Sequence, residues 1–526
     1  MSKDDMKPEI DQQAGGFNLG RREFSKLFLL LSAALSRSAI PHGAAQRPSR
    51  RQENSPSFLI LVFDTLSAPH MSLHGYTRET TPNFARLAER ATVFHRHYAG
   101  GSFTSSGTAS LLTGVYPWTH RALHLHGSVT HEYTDRNIFS ALAGTHFTSA
   151  YTHNPLVATL FHQFNSALDE LIKIERLMRF DHSYSESLFF DDFAVAYESE
   201  LLQLRNGNAP TSSLFLSIFD EFRRYSREST SAEAYRELFP RGLPNFMDEE
   251  RPSFLFFTLE DAVDWLTDEL PTLPKPFLQY VHLLPPHGPY TTRKEFIDIF
   301  RDGWQPTTKH THFFPEGHEQ DFLNLQRRLY DEFIAYVDAE FGRLVEALDE
   351  LKNIYLIVTS DHGQLFERGI HGHLTPTMYE GVIRIPLLIA QPGQETHQDV
   401  FTPTSCVDVL PTLLHLSGRL IPDWCEGEVL PGIGTPTMED RIIFCVDAKR
   451  NAKHRPLSQA TVAMITDEYK LVRYFGYDGI EEAYELFNLY DDPEERDNLY
   501  ERELSLAANL KRELMDRLRW ANNPSH

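Results

Sequence analysis

Four short segments, 58–63, 277–281, 354–358 and 385–389, are apolar almost throughout, with no alternation of polar and apolar residues. Such runs have no face to turn to water. At strand length, a segment apolar on both sides has to lie inside a sheet that is covered on both sides. Helical patterns lie between them. The clearest runs from about 321 to 351, with Tyr330, Phe333, Val337, Phe341, Leu344 and Leu348 at helical spacing. Buried strands alternating with amphipathic helices predict an α/β domain, its mostly parallel central sheet flanked by helices on both faces.

In open sheets of this kind, ligands bind beyond the carboxyl ends of the strands. The first run ends in Asp64-Thr65. The second leads to His282 and then Pro285-Pro286-His287-Gly288-Pro289. The third ends in Thr359-Ser360-Asp361-His362-Gly363. One such end would read as a turn with a capping aspartate. Three at one sheet edge point to a site, and Asp64, Asp361 and His362 suit a divalent cation. A Gly/Ser/Thr-rich stretch from Gly100 to Gly114 enters a short helix. Free N–H groups at its start would favour an anion, although the segment alone reads as an ordinary capped helix.

At 526 residues the chain exceeds one small core, and with 50 Lys and Arg against 73 Asp and Glu its net charge is −23. So acidic a surface repels a phosphate backbone, which speaks against general nucleic-acid binding. The three cysteines, Cys406, Cys425 and Cys445, lie late and without CxxC spacing. They make neither a disulfide framework nor a thiolate metal site. Near the N-terminus, Arg21-Arg22 and Phe24 precede a short apolar run, too short to span a bilayer, and small residues at Gly43-Ala44-Ala45. That layout predicts a twin-arginine export signal over 1–45, cut after Ala45, and hence an exported (periplasmic or extracellular) protein; a short amphipathic or buried helix in a cytoplasmic protein is the alternative. A polar linker, 46–56, would follow. The catalytic α/β domain is expected over 57–400, with a helical insertion at about 164–272. A smaller α+β subdomain is expected over 401–526, with two of its strands at 462–465 and 469–474.

Several segments together resemble the sulfatase and alkaline phosphatase superfamily. They are Phe63-Asp64-Thr65-Leu66 with His74-Gly75-Tyr76, Thr81-Pro82-Asn83, Leu111-Leu112-Thr113-Gly114, Pro286-His287-Gly288-Pro289-Tyr290, Ser360-Asp361-His362-Gly363 and Val407-Asp408-Val409-Leu410-Pro411-Thr412. The resemblance implies an alkaline-phosphatase-like sulfatase fold and a nucleophile at Thr104. Formylglycine sulfatases carry Cys or Ser there, followed by xPxR. This chain has Thr104-Ser105-Ser106-Gly107-Thr108 instead, a context that maturation to formylglycine does not accept. A threonine ester cannot collapse to an aldehyde, so it has to be released by water or another acceptor. Relatives with threonine at this place act on phosphodiesters and phosphonates or transfer phosphoryl groups. The expectation is therefore a phosphate or phosphonate ester hydrolase. Sulfuric ester hydrolysis, head-group transfer and an inactive anion-binding protein are the alternatives.

The resemblance also implies one divalent metal ion, held by Asp64, Thr104, Asp361 and His362. Thr65 stands where a second aspartate is usual. Three oxygens and one imidazole favour zinc or manganese, with calcium or magnesium as alternatives. His287 would bind a substrate oxygen or protonate the leaving group, and His373 would be a second cationic partner. His371, His282, His153 and Asn154 rank below these among 25 histidines and their neighbours. The expected substrate is an anionic ester, of a small molecule or linked to a glycan or lipid.

Overall fold

The computed structural model describes residues 55–177, 179–180, 233–244, 255–348, 353–433 and 441–523. Residues 1–45, with the expected export signal, and most of 181–254 lie outside them. The four apolar runs are strands: β1 (Ser57–Phe63), β2 (Phe277–Leu283), β3 (Ile354–Thr359) and β4 (Arg384–Ala390). Every residue of β1 and β2 is buried. β1 is central and pairs in parallel with both β2 and β3, so their carboxyl ends share one edge. β2 in turn pairs in parallel with Phe147–Thr152. β4 departs from the parallel pattern, running antiparallel to β3 and to Thr92–Tyr98. An apolar run reads the same in either direction, so its sequence carried no sign of this.

Helix α1 (Thr104–Thr113) is buried along its whole length and stops at Gly114, whose φ of 68° is in the left-handed region. Helix α2 (Pro155–Phe164) follows the Phe147–Thr152 strand, and helix α3 (Gln320–Leu348) is the long amphipathic element, burying Tyr330, Phe333, Val337, Phe341 and Leu344. One apolar cluster, containing Ile60, Leu111 and Leu410, fills one face of the sheet. Another, containing Leu61, Phe84 and Phe341, fills the other. Where it is described, the stretch 164–272 includes the helix Glu233–Leu238. It holds the helix Leu259–Glu269, but also the strand Glu170–Leu171, which joins the main sheet, and a two-stranded pair, Arg179–Phe180 with Leu255–Phe256. Late in the chain, Ile443–Asp447, Ala460–Ile465, Tyr469–Tyr477 and Ile480–Asn488 form a four-stranded antiparallel sheet. The described residues all fall in one compact unit.

Candidate active site

The parallel register brings the polar strand ends together. Asp64 follows β1 directly, Asp361 and His362 follow β3 after Ser360, and His282 lies near the end of β2, opposite Val62. Asp64, His282, Asp361 and His362 are all fully buried, and Thr104 is 3% exposed. Ligand atoms of Asp64, His282 and Asp361 lie within 4.8 Å of one another. His362 Nε2 is 3.7 Å from Asp64 Oδ1 and 3.5 Å from Asp361 Oδ2. It is also 3.3 Å from Thr104 Oγ1. His282, ranked low from the sequence, thus sits inside the cluster. Its isolated imidazole in an otherwise apolar strand was the available signal.

The hydrogen bonds show which atoms are free. Asp361 Oδ1 accepts from the backbone N–H of Thr65 (3.2 Å) and of His362 (3.0 Å). Asp64 Oδ2 accepts from Asn154 Nδ2 at 2.6 Å and lies 3.2 Å from His282 Nε2. Asp64 Oδ1 and Asp361 Oδ2 are buried with no hydrogen-bond partner. His362 Nδ1 lies 3.0 Å from the Gly363 carbonyl oxygen. As that oxygen can only accept, Nδ1 carries a proton, which in the neutral tautomer leaves the lone pair on Nε2. Two orphaned carboxylate oxygens and an imidazole lone pair in one dry place suit a divalent cation. Burial pushes the Asp64 carboxyl up, but the hydrogen bond from His282 and nearby imidazole charge outweigh it and hold it below its usual range. Burial, and then the charge of Asp64, push Asp361 above its usual range.

Thr65 has a φ of 62°, a conformation costly for a β-branched residue. The turn directs its N–H at Asp361, while its carbonyl accepts from Tyr330 OH at 2.5 Å. Thr104 is the first residue of α1 and Phe103 is its N-cap, so Thr104 makes no cap of its own. Gly107 lets α1 approach closely: a Cβ there would lie 2.2 Å from the Asp361 carbonyl oxygen.

His287 and His373 face each other with ring centroids 5.3 Å apart, and the His373 ring is 4.3 Å from that of His362. His287 Nδ1 lies 2.7 Å from the Gly288 carbonyl oxygen, which leaves Nε2 available. His373 Nδ1 bonds Gln364 Oε1 at 2.7 Å, and Gln364 Nε2 donates to Tyr290 OH at 2.7 Å. Burial, followed by the charges of His362 and His287, drives the pKa of His373 well below 6.5. That shift weighs against the cationic role expected of His373. His371 lies further out, 3.3 Å from Tyr290 OH. His153 is buried against Phe257, with ring centroids 4.3 Å apart.

A cavity of about 410 Å³ is lined by Phe314, Leu374, Asp447, Lys449 and Tyr477 among others. Lys449 Nζ sits 4.8 Å from the Phe103 ring centroid and is paired with Asp447, which also accepts from Ser102 Oγ at 3.0 Å. No local motif marked Asp447 or Lys449, which come from the C-terminal sheet.

Comparison with known proteins agrees with this fold. The sulfatase family profile matches residues 56–419, and the profile of the N-sulphoglucosamine sulphohydrolase C-terminal region matches residues 369–522. An uncharacterized sulfatase, YidJ, of Escherichia coli is 24% identical over 475 residues, covering 84% of this chain and 83% of its own. The choline-sulfatase of Rhizobium meliloti is 25% identical over 487 residues, covering 85% and 82%. Among solved structures, the phosphonate monoester hydrolase of Agrobacterium radiobacter superposes with a TM-score of 0.62 at 17% identity, covering 89% of this chain and 96% of its own. With the family profile spanning most of the chain and relatives matching along its length, the protein belongs to the sulfatase family and is a hydrolase of ester bonds.

Proposed function

We propose that the chain is a metal-dependent hydrolase of phosphate or phosphonate esters that works through a covalent intermediate on Thr104. The observation that carries this is the Thr104 hydroxyl, at the start of a buried helix and 3.3 Å from the His362 lone pair, with no cysteine or serine in its place. Asp64, Asp361 and His362, with Thr104, would hold one divalent ion. When bound, that ion would supply positive charge against the Thr104 oxygen and a non-bridging oxygen of the ester. Thr104 Oγ1 gives up its hydroxyl proton to solvent and attacks phosphorus as the bond to the leaving alcohol breaks. With Nδ1–H held by the Gly288 carbonyl, the imidazolium form of His287 passes its Nε2 proton to the departing oxygen and is left neutral. The N–H groups at the start of α1 stabilise charge on the remaining oxygens. Water then releases the acid from Thr104. The cavity beside Phe103 takes the rest of the substrate, next to Lys449.

A second reading, hydrolysis of sulfuric esters, is favoured by the named sulfatases among the relatives. The test is a panel of 4-nitrophenyl phosphate mono- and diesters, phosphonates and sulfates on metal-loaded protein, with mass spectrometry of enzyme quenched during turnover. The expected result is faster cleavage of a phosphorus ester and an added phosphoryl-type group on the peptide containing Thr104. Sulfate esters cleaved far better than every phosphorus ester would reverse the order of the two readings.

A further inference from the structure

Asp64 has two carboxylate oxygens in very different surroundings. Oδ2 accepts 2.6 Å from Asn154 Nδ2 and lies 3.2 Å from His282 Nε2. Oδ1 has no hydrogen-bond partner and faces His362 Nε2 at 3.7 Å. Something therefore chooses which oxygen is left for a cation. Of the two groups on Oδ2, Asn154 makes the shorter bond, and its own orientation is locked. Asn154 is the N-cap of α2, and its Oδ1 accepts from the Leu156 backbone N–H at 2.8 Å. The next residue, Pro155, has no N–H to compete for that oxygen. With the carbonyl end fixed to the helix, the amide end has one direction left, toward Asp64. A flipped amide would lose the cap and set two acceptors against each other. The side chain is 4% exposed, so water does not readily take its place.

We propose that Asn154 is a positioning residue for the metal: by pinning Oδ2 of Asp64 to the start of α2, it turns Oδ1 toward the cation. The inference rests on the metal-dependent reading above. It assigns Asn154 two separable jobs, capping α2 and donating to Asp64. Asn154→Ser keeps an acceptor for the cap but removes the donor, while Asn154→Ala removes both.

The experiment is a competition titration of Zn²⁺, and separately Mn²⁺, against a chromogenic chelator, using the full chain. It is paired with thermal unfolding of the metal-free protein. Outer-shell partners of metal ligands typically change affinity by about 10- to 100-fold, so both variants should raise Kd by at least about tenfold. Metal-free Asn154→Ser should melt near the wild type, and metal-free Asn154→Ala lower. A structural cap alone would give the opposite split, with stability moving and metal affinity staying. Asn154→Ser with a Kd within about threefold of wild type overturns the proposal and leaves the metal site standing. A wild-type chain that binds neither ion overturns the metal reading, and this inference with it.

Discussion

Thr104 carries its hydroxyl on a β-branched carbon, which restricts its rotamer at the start of α1. It needs no cap bond to keep the helix, because Phe103 occupies that position. Thr104→Ala should therefore leave the melting temperature close to wild type while lowering kcat by about a thousandfold or more, as loss of a nucleophile does. Thr104→Ser keeps the oxygen and should keep part of the activity. Steady-state rates on the best ester of the panel, with a melting curve for each variant, decide both points. An active Thr104→Ala protein would remove the covalent step. Asp361 holds two backbone N–H groups with one oxygen and offers the other. Asp361→Ala removes that donor and leaves Thr65 with a strained turn and no acceptor. Elemental analysis of the purified variant should show its divalent metal lost, together with activity.

Elements matter here through how closely they approach. α1 passes the Asp361 turn with room for a hydrogen at Gly107, not for a methyl group. Gly107→Ala has to push the helix and the turn apart. Such overpacking costs about 1–3 kcal/mol, and it separates Thr104 from Asp361 and His362. The expected outcome is a lower urea midpoint together with a fall in kcat; unchanged values of both would mean that helix and turn are not held in register. The C-terminal sheet acts on the same helix from the other side. Lys449 lies on the Phe103 ring, and Asp447 binds Ser102. If the Lys449 ion pair is left, Asp447 keeps the hydrogen bond from the Ser102 hydroxyl. Lys449→Ala should raise KM for esters with a large anionic or polar group more than it lowers kcat.

Across the whole molecule, the C-terminal sheet is tied to the catalytic body by charge as well as by apolar packing. Lys470 is fully buried and pairs with Glu380, 2.8 Å away, and with Glu495. Glu380 begins the short helix before β4 and also bonds Arg384 at 3.2 Å. Removing the lysine leaves two buried carboxylates facing each other. Lys470→Met should destabilise the protein by about 3–5 kcal/mol, measured by urea unfolding, although methionine matches the side chain in length. Export is a further prediction at this scale. Replacing Arg21 and Arg22 by Lys should leave the protein in the cytoplasm on cell fractionation. Normal export of that variant would refute the twin-arginine reading and leave the chemistry untouched.

The sequence by itself determined what depends on local pattern. Strands buried on both faces show as uninterrupted apolar runs, so β1 to β4 were legible to within a residue or two, and α3 to within three from its helical spacing. Side chains that follow such strands, Asp64 and the Asp361-His362 pair, were legible for the same reason, since parallel neighbours carry their ends to one edge. Strand direction was not legible, and β4 proved antiparallel. Nor were contacts between residues far apart in the chain. His282 and Asn154 reach Asp64 across 218 and 90 positions. Only the register of β2 against β1 and against the Phe147–Thr152 strand brings them there. Protonation was likewise decided by the fold. His373 is an ordinary imidazole in the sequence, whereas in the fold burial removes the water that would stabilise its charge and pushes its pKa down. The tertiary structure also chose which oxygen of Asp64 is left free, because that depends on donors arriving from other strands and helices in a place where no water can substitute for them.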